Sequence, residues 1–197
     1  MYVVVKAEPR SARSASVYIY NRVSRSVFNG RTYLWASGSG GGSSLSVEEG
    51  VAVVEVYAAL SRRRGRMFTY LARIRDGARY EHEHFVLHNV EVLEELDGDR
   101  LLYYQTRMLN EGYSMARDPT KARLNIYGYI LAAHGAPVQT KEQSPDTALA
   151  EILEKVRKLD KQHLETLITE IAAAIRRGEL PKIGREAVEE LLNSLTT

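Results

Sequence analysis

Residues 17–36, VYIYNRVSRSVFNGRTYLWA, decide the reading of the chain. Asn29-Gly30 stands between two stretches of alternating residues, and both turn residues tolerate positive φ, so the segment reads as a β-hairpin with strands Val17–Phe28 and Arg31–Ala36. A two-residue turn pairs Phe28 with Arg31, and counting outward pairs Ser26 with Tyr33 and Ser24 with Trp35. One face is then expected to hold Tyr18, Tyr20, Arg22, Phe28, Arg31, Tyr33 and Trp35. The other holds Val17, Ile19, Val23, Val27, Leu34 and Ala36, interrupted by Asn21 and Arg25, and is the core side.

Downstream, Ser37–Ser44 reads as a Gly/Ser loop, and Ser46-Val-Glu-Glu49 as a capping box opening a helix that ends near Gly65. Met67–Arg75 and Ala78–His88 alternate around Asp76-Gly77. Val90–Leu96 and Arg100–Leu109 do so around Asp97-Gly98, giving a meander. Asp118-Pro119 reads as an N-cap followed by a first-turn proline, and Gly135 as the stop of that helix, with Leu124, Tyr127 and Leu131 buried. Strands then helix, twice over, predicts an α+β fold: an antiparallel sheet of hairpins with packed helices, followed by a C-terminal coiled-coil-like tail.

Three parts are expected: a basic aromatic-rich domain over 1–135, a linker over 136–146, and a helical tail over 147–197. The tail would hold a long helix from Thr147 to Arg177 and a short one from Gly184 to Leu195. Leu149, Ile152, Val156 and Leu159, then Leu164, Ile168, Ile171 and Ile175, recur every three or four residues and mark a homo-oligomerisation seam.

Charge divides the chain in the same way. Met1 to Tyr80 carries 13 Arg or Lys against 5 Asp or Glu, whereas Glu81 to Arg100 carries 1 against 7. All aromatic residues lie at or before Tyr129. The chain has no cysteine, which excludes disulfides, thiolate nucleophiles and cysteine-ligated metal centres. Arginine-rich, Gln- and Asn-poor composition is of the thermophile kind. No signal-peptide pattern and no membrane-length apolar run is read, so a cytoplasmic protein with no membrane partner is expected.

Aromatic rings interleaved with arginines suit a single strand of nucleic acid, since bases stack on rings and guanidinium groups neutralise phosphates. The candidate residues are Tyr18, Tyr20, Arg22, Arg31, Tyr33 and Trp35, with Arg62, Arg63, Arg64 and Arg66 before the second hairpin and Arg73 and Arg75 within it. Tyr and Trp covered by a second core layer, with arginine stems over them, is the bland alternative. His82, His84 and His88 share a strand face, but no carboxylate there completes a set, so no metal is expected. Gly38–Gly42 lacks the lysine of a phosphate-binding loop, and no nucleophile with its base can be named. Neither an enzyme nor a cofactor is expected.

With Tyr18–Trp35 and Arg62–Arg75 as a basic aromatic surface and Leu149–Ile175 as a leucine/isoleucine tail, the chain resembles the archaeal ThermoDBP family of single-stranded DNA-binding proteins. That resemblance implies a strand held in a cleft of apolar and basic residues and subunits assembled by the C-terminal helices, with DNA favoured over RNA. The strand–strand–Gly/Ser–helix order is also similar to PUR-type single-strand-binding domains. The acidic Glu81–Asp99 stretch departs from both, since it would repel phosphates. Three alternatives stay open: an RNA-binding protein, a protein–protein adaptor using the same aromatic face, and a nuclease built on the histidines.

Overall fold

The computed structural model describes residues 1–140 and 156–178, except the side chains of 174 and 175, and the chain divides into two compact units, Met1–Lys141 and Glu142–Thr197. The first unit is α+β. Its strands are β1 (Tyr2–Pro9), β2 (Ser14–Phe28), β3 (Arg31–Gly42), β4 (Ser44–Glu48), β5 (Gly50–Ala59), β6 (Gly65–Glu81) and β7 (Phe85–Glu95). They form a curled, half-barrel sheet in the order β3-β2-β5-β6-β7-β1-β4, with every pair along this path antiparallel. Helices α1 (Gly98–Asn110) and α2 (Pro119–Ala133) follow, then the short strand β8 (Val138–Thr140), parallel to β2 at Val23–Arg25. Residues 138–140, read as linker from the sequence, therefore extend the sheet.

The hairpin forms as its turn dictates. Asn29 and Gly30 both take positive φ, 50° and 71°, and the pairs Phe28–Arg31, Ser26–Tyr33 and Ser24–Trp35 are those expected. Beyond them the ladder slips: Arg22 pairs with Ser37 but Tyr20 with Gly38, leaving Asn21 as an extra residue in a β-bulge. One inserted residue reverses every side chain beyond it, so the single aromatic face expected from alternation is split in two. The Gly/Ser segment is strand rather than loop. A Cβ at Gly38 would lie 1.8 Å from the Ile19 carbonyl oxygen, and one at Gly40 2.2 Å from the Tyr18 ring, so glycine is what lets β3 close on β2.

The helix expected over Ser46–Gly65 is instead two strands, β4 and β5, separated at Glu49. Ala52, Val54, Val56 and Ala58 enter the sheet's interior while Val53 and Glu55 are buried on its outer face. A strand covered on both faces shows an unbroken apolar run, and the β-branched valines suit it better than a helix does.

Asp76-Gly77 does not close a hairpin either. β6 continues to Glu81 and pairs with β7 through an irregularity between Ile74 and Arg79. Gly77 and Asn89, both at positive φ, sit at this corner, where the Asn89 side chain accepts from Gly77 N and donates to the Val4 carbonyl. The corner is sharp: Tyr70 and Tyr80, ten residues apart on one strand, have ring centroids 5.3 Å apart, where a straight strand would separate them by about 33 Å. The hairpin thus folds over itself and encloses a core of Phe68, Tyr70, Ala72, Ile74, Phe85 and Leu87.

Asp97-Gly98 starts a helix, not a strand. The Asp97 carboxylate accepts from Arg100 N at 2.8 Å, and Leu101, Tyr104 and Met108 follow at helical spacing toward a second core. α2 begins and ends where the sequence places it, with Asp118 accepting from Lys121 N and Gly135 at φ 88° just past the end. Gly128 brings α2 against β3, and Asn125, fully buried, donates to the Leu34 carbonyl at 2.8 Å and accepts from Ala116 N.

In the second unit the long helix expected over Thr147–Arg177 is broken. Residues 158–160 leave the helix, Asp160 caps a new one by accepting from His163 N at 2.9 Å, and α3 runs Lys161–Arg176. Val156 is buried, Leu159 exposed at the break, and Leu164, Ile168 and Ile171 half-buried on α3. Leu149, Ile152, the Ile175 side chain and the Gly184–Leu195 helix lie outside the described residues.

Candidate nucleic-acid interface

Curling the sheet gathers three loops at one end of the first unit. The β1–β2 loop is tied to the β6–β7 turn by Arg10 N donating to the His84 carbonyl at 2.9 Å, and to β5 by Arg13 N donating to the Ala59 carbonyl at 2.8 Å. The β5–β6 loop closes on itself through Leu60 N and Ser61 N, which both donate to the Arg64 carbonyl. Arg10, Arg13, Arg62, Arg63, Arg64 and Arg66 therefore share this end, all exposed. Arg10 meets Glu81 at 3.6 Å; among the described residues the other five form no ion pair. The Arg66 guanidinium lies 4.8 Å over the Phe68 ring, and His82 stacks on Phe85 at 4.5 Å, so rings close the end of the core beneath the charges.

Next to this end, on the outer face of β2, β5 and β6, is a shelf of half-covered rings. Tyr57 and Met67 are cross-strand partners, each 42% exposed, and the Tyr57 hydroxyl lies over Gly65 between Arg64 and Arg66. Tyr18 is half-buried one row further along, opposite Glu55. Tyr20 comes next, its ring 5.4 Å from that of Tyr127 on α2. Glu55 is only 2% exposed, yet it is a carboxylate. It is held by the Tyr127 hydroxyl donating at 2.7 Å, the Tyr20 hydroxyl donating at 3.3 Å, and Arg123 Nε at 3.5 Å. Burial and the adjacent Glu55 charge push both tyrosine hydroxyls to higher pKa, so they stay protonated and act as donors.

The remaining sequence candidates are dispersed. Arg22, Arg31, Tyr33 and Trp35 lie on the face of the hairpin turned away from α2, opposite Tyr18 and Tyr20, with Tyr33 and Trp35 stacked at 5.8 Å and Trp35 Nε1 donating to Ser26 Oγ. Arg73 is opposite Glu91 on β7, and Arg75 reaches the same carboxylate at 3.8 Å, so these two arginines sit among acids. Three of the seven acids in the acidic stretch are paired: Glu81 with Arg10 and Arg79, Glu91 with Arg75, and Glu94 with Arg100 and Tyr104. Glu83, Glu95, Asp97 and Asp99 are exposed with no ion pair among the described residues, and Glu83 lies in the β6–β7 turn at the arginine end.

The histidines have other partners. His84 Nδ1 bonds Ser11 Oγ, His82 Nδ1 accepts from His84 N, and His88 Nε2 meets Glu8 at 2.8 Å, a contact that lowers the Glu8 pKa. Among the described residues no set of three or more potential ligands gathers as a metal site.

The sequence reading did not select Arg10, Arg13, Tyr57, Met67, Glu55 or Arg123. Tyr57 carries a weak signal, being the one aromatic in the valine run, but only as a strand does that run expose it at the sheet surface. The arginines at 10 and 13 carry none, because their nearness to Arg62–Arg66 comes from strand order alone. No family model matches the chain, and neither a curated protein nor a solved structure matches it. No described helix is long and apolar enough to cross a membrane.

Proposed function

We propose that the first unit binds single-stranded nucleic acid, DNA in the first instance, without strong dependence on sequence. The observation that carries this reading is the convergence of six arginines from the β1–β2 loop, the β5–β6 loop and the start of β6 beside the exposed Tyr57 and the half-buried Tyr18. Phosphates would run across Arg10, Arg13 and Arg62–Arg66, and bases would stack on the tyrosines, each stack contributing about 1–3 kcal/mol. A duplex keeps its bases stacked inward and gains nothing from such rings. Anisotropy of labelled single strands and of a duplex of equal length, at two salt concentrations, tests the reading. Tighter binding of the single strand, weakening with salt, is expected; equal affinity for the duplex or indifference to salt would sink it.

The apolar residues Leu164, Ile168 and Ile171 of α3 support a second proposal, that the C-terminal unit assembles copies of the chain. Sedimentation of the full chain beside Ile168→Asp tests it: a multimer reduced by the substitution is expected, and a monomeric parent chain refutes it. The hairpin tip, where Val27 and Phe28 are 65% and 67% exposed, favours a protein contact as the competing use of the Tyr33–Trp35 face.

A further inference from the structure

We propose that the cavity above Glu55 is a base-selective subsite that takes guanine from the bound strand, an inference that rests on the single-strand reading above. The cavity, about 370 Å³, is lined by Tyr18, Tyr20, Tyr57 and Met67, with Glu55 and Arg123 as its polar members. Apolar walls with a few convergent polar groups are the usual make-up of a small-molecule site of this size.

A buried carboxylate beside a phosphate-binding end needs a reason, because it repels the backbone it adjoins. Here it decides which part of a nucleotide enters: the anionic phosphate is turned away and the neutral base admitted. Its bonding leaves room for a ligand. Oε1 accepts from the Tyr127 hydroxyl at 2.7 Å and meets Arg123 Nε at 3.5 Å, whereas Oε2 has only the Tyr20 hydroxyl at 3.3 Å. A carboxylate oxygen has two lone pairs and 3.3 Å is long for an O–H donor, so Oε2 retains acceptor capacity toward the cavity. Guanine alone among the bases presents an N–H and an adjacent amino group on its Watson–Crick edge. Thymine and uracil flank their one N–H with carbonyls, which a carboxylate repels, and adenine and cytosine offer an amino group beside a ring acceptor. Stacked between Tyr18 and Tyr57, a guanine would direct its donors at Oε2.

The test uses labelled thymine strands with one central guanine, adenine, cytosine or no replacement, titrated with the parent chain, Glu55→Gln and Met67→Trp. Gln preserves the shape of Glu55 but offers no carboxylate. Trp at the exposed position 67 fills the slot without touching the carboxylate, so it serves even if Glu55→Gln fails to fold. The guanine strand should bind about fivefold tighter than the others to the parent chain. Both variants should erase that margin, leaving the guanine strand no tighter than the plain thymine strand measured on the same variant. Equal, salt-sensitive binding of all four strands would overturn the subsite and leave the single-strand reading standing. Binding of no strand would overturn both. A guanine preference that survives Met67→Trp places base reading elsewhere and also refutes the inference.

Discussion

Replacing Arg62, Arg63 and Arg64 together by alanine removes three of the five unpaired arginines at the basic end, and the consequence can be worked out. Their loop is held by main-chain groups: Leu60 N and Ser61 N donate to the Arg64 carbonyl, and Ser61 Oγ accepts from Arg63 N and Arg64 N. The side chains are exposed and unpaired among the described residues, so the fold should be indifferent to their loss. For single strands the slope of log affinity on log salt is about −0.7 per neutralised phosphate, so five contacts give about −3.5 and two give about −1.4. Between about 50 and 200 mM salt the parent chain should lose affinity about 100-fold and the variant only about sevenfold. Anisotropy titrations over that range measure both slopes, with thermal melting to check the fold. A variant that binds more weakly at every salt concentration but keeps the parent slope would refute the reasoning, since the lost arginines would then not have been touching phosphates.

Trp35 lies on the hairpin face opposite the tyrosine shelf, so saturation with a single strand should leave its emission unquenched and Trp35→Phe should leave affinity unchanged; quenching would relocate the binding path. Gly128→Ala should destabilise the first unit by about 1–3 kcal/mol in urea unfolding, because a Cβ there would stand 2.9 Å from main-chain atoms of Leu34 and Trp35 that cannot turn aside; an unchanged midpoint would mean α2 does not seat on β3 as described. His82 has its pKa held below 6.5, by burial first and then by the neighbouring His84, and its Nδ1 accepts a main-chain N–H. The unfolded chain therefore takes up this proton before the folded one does, so stability is full above about pH 6.5 and falls as pH drops below it. His82→Phe should flatten the change in urea midpoint between about pH 7.5 and pH 5.5, and a variant with the parent's pH dependence would assign the effect to another group.

Where structure follows from a few adjacent residues, the sequence was enough. Asn29-Gly30 sets the turn and the first pairs of its hairpin; Asp118-Pro119 and Gly135 set both ends of α2. It misled where a short signal has two uses. Ser46-Val-Glu-Glu49 has the order of a capping box, but the valines after it alternate between two covered faces. Asp97-Gly98 has the order of a hairpin turn, yet Asp97 accepts from Arg100 N and the next apolar residues are spaced for a helix. In each case the period of the following ten residues was the better guide than the two to four residues of the motif.

The site was harder to read than the fold because two irregularities in the strands create it. The bulge at Asn21 turns Tyr18 and Tyr20 to the α2 side while Tyr33 and Trp35 stay on the other, so one apparent aromatic face became two. The corner at Gly77 and Asn89 folds the β6–β7 hairpin back until His82 stacks on Phe85 beside Phe68. That fold brings the β6–β7 turn to the β5–β6 loop and lets Arg10 N reach the His84 carbonyl. Arg13 stands beside Arg62–Arg66 through strand order, since Ser14 pairs with Ala59 and Arg13 N donates to the Ala59 carbonyl, whereas the corner adds the β6–β7 turn, to which Arg10 is bonded. Alternation over ten or twenty residues cannot register this, because an inserted residue or a left-handed corner is an exception to the periodicity that such a reading assumes. The arginine clustering is thus a property of topology: strand order sets Arg13 beside Arg62–Arg66, and nothing in the sequence near positions 10 and 13 announces it.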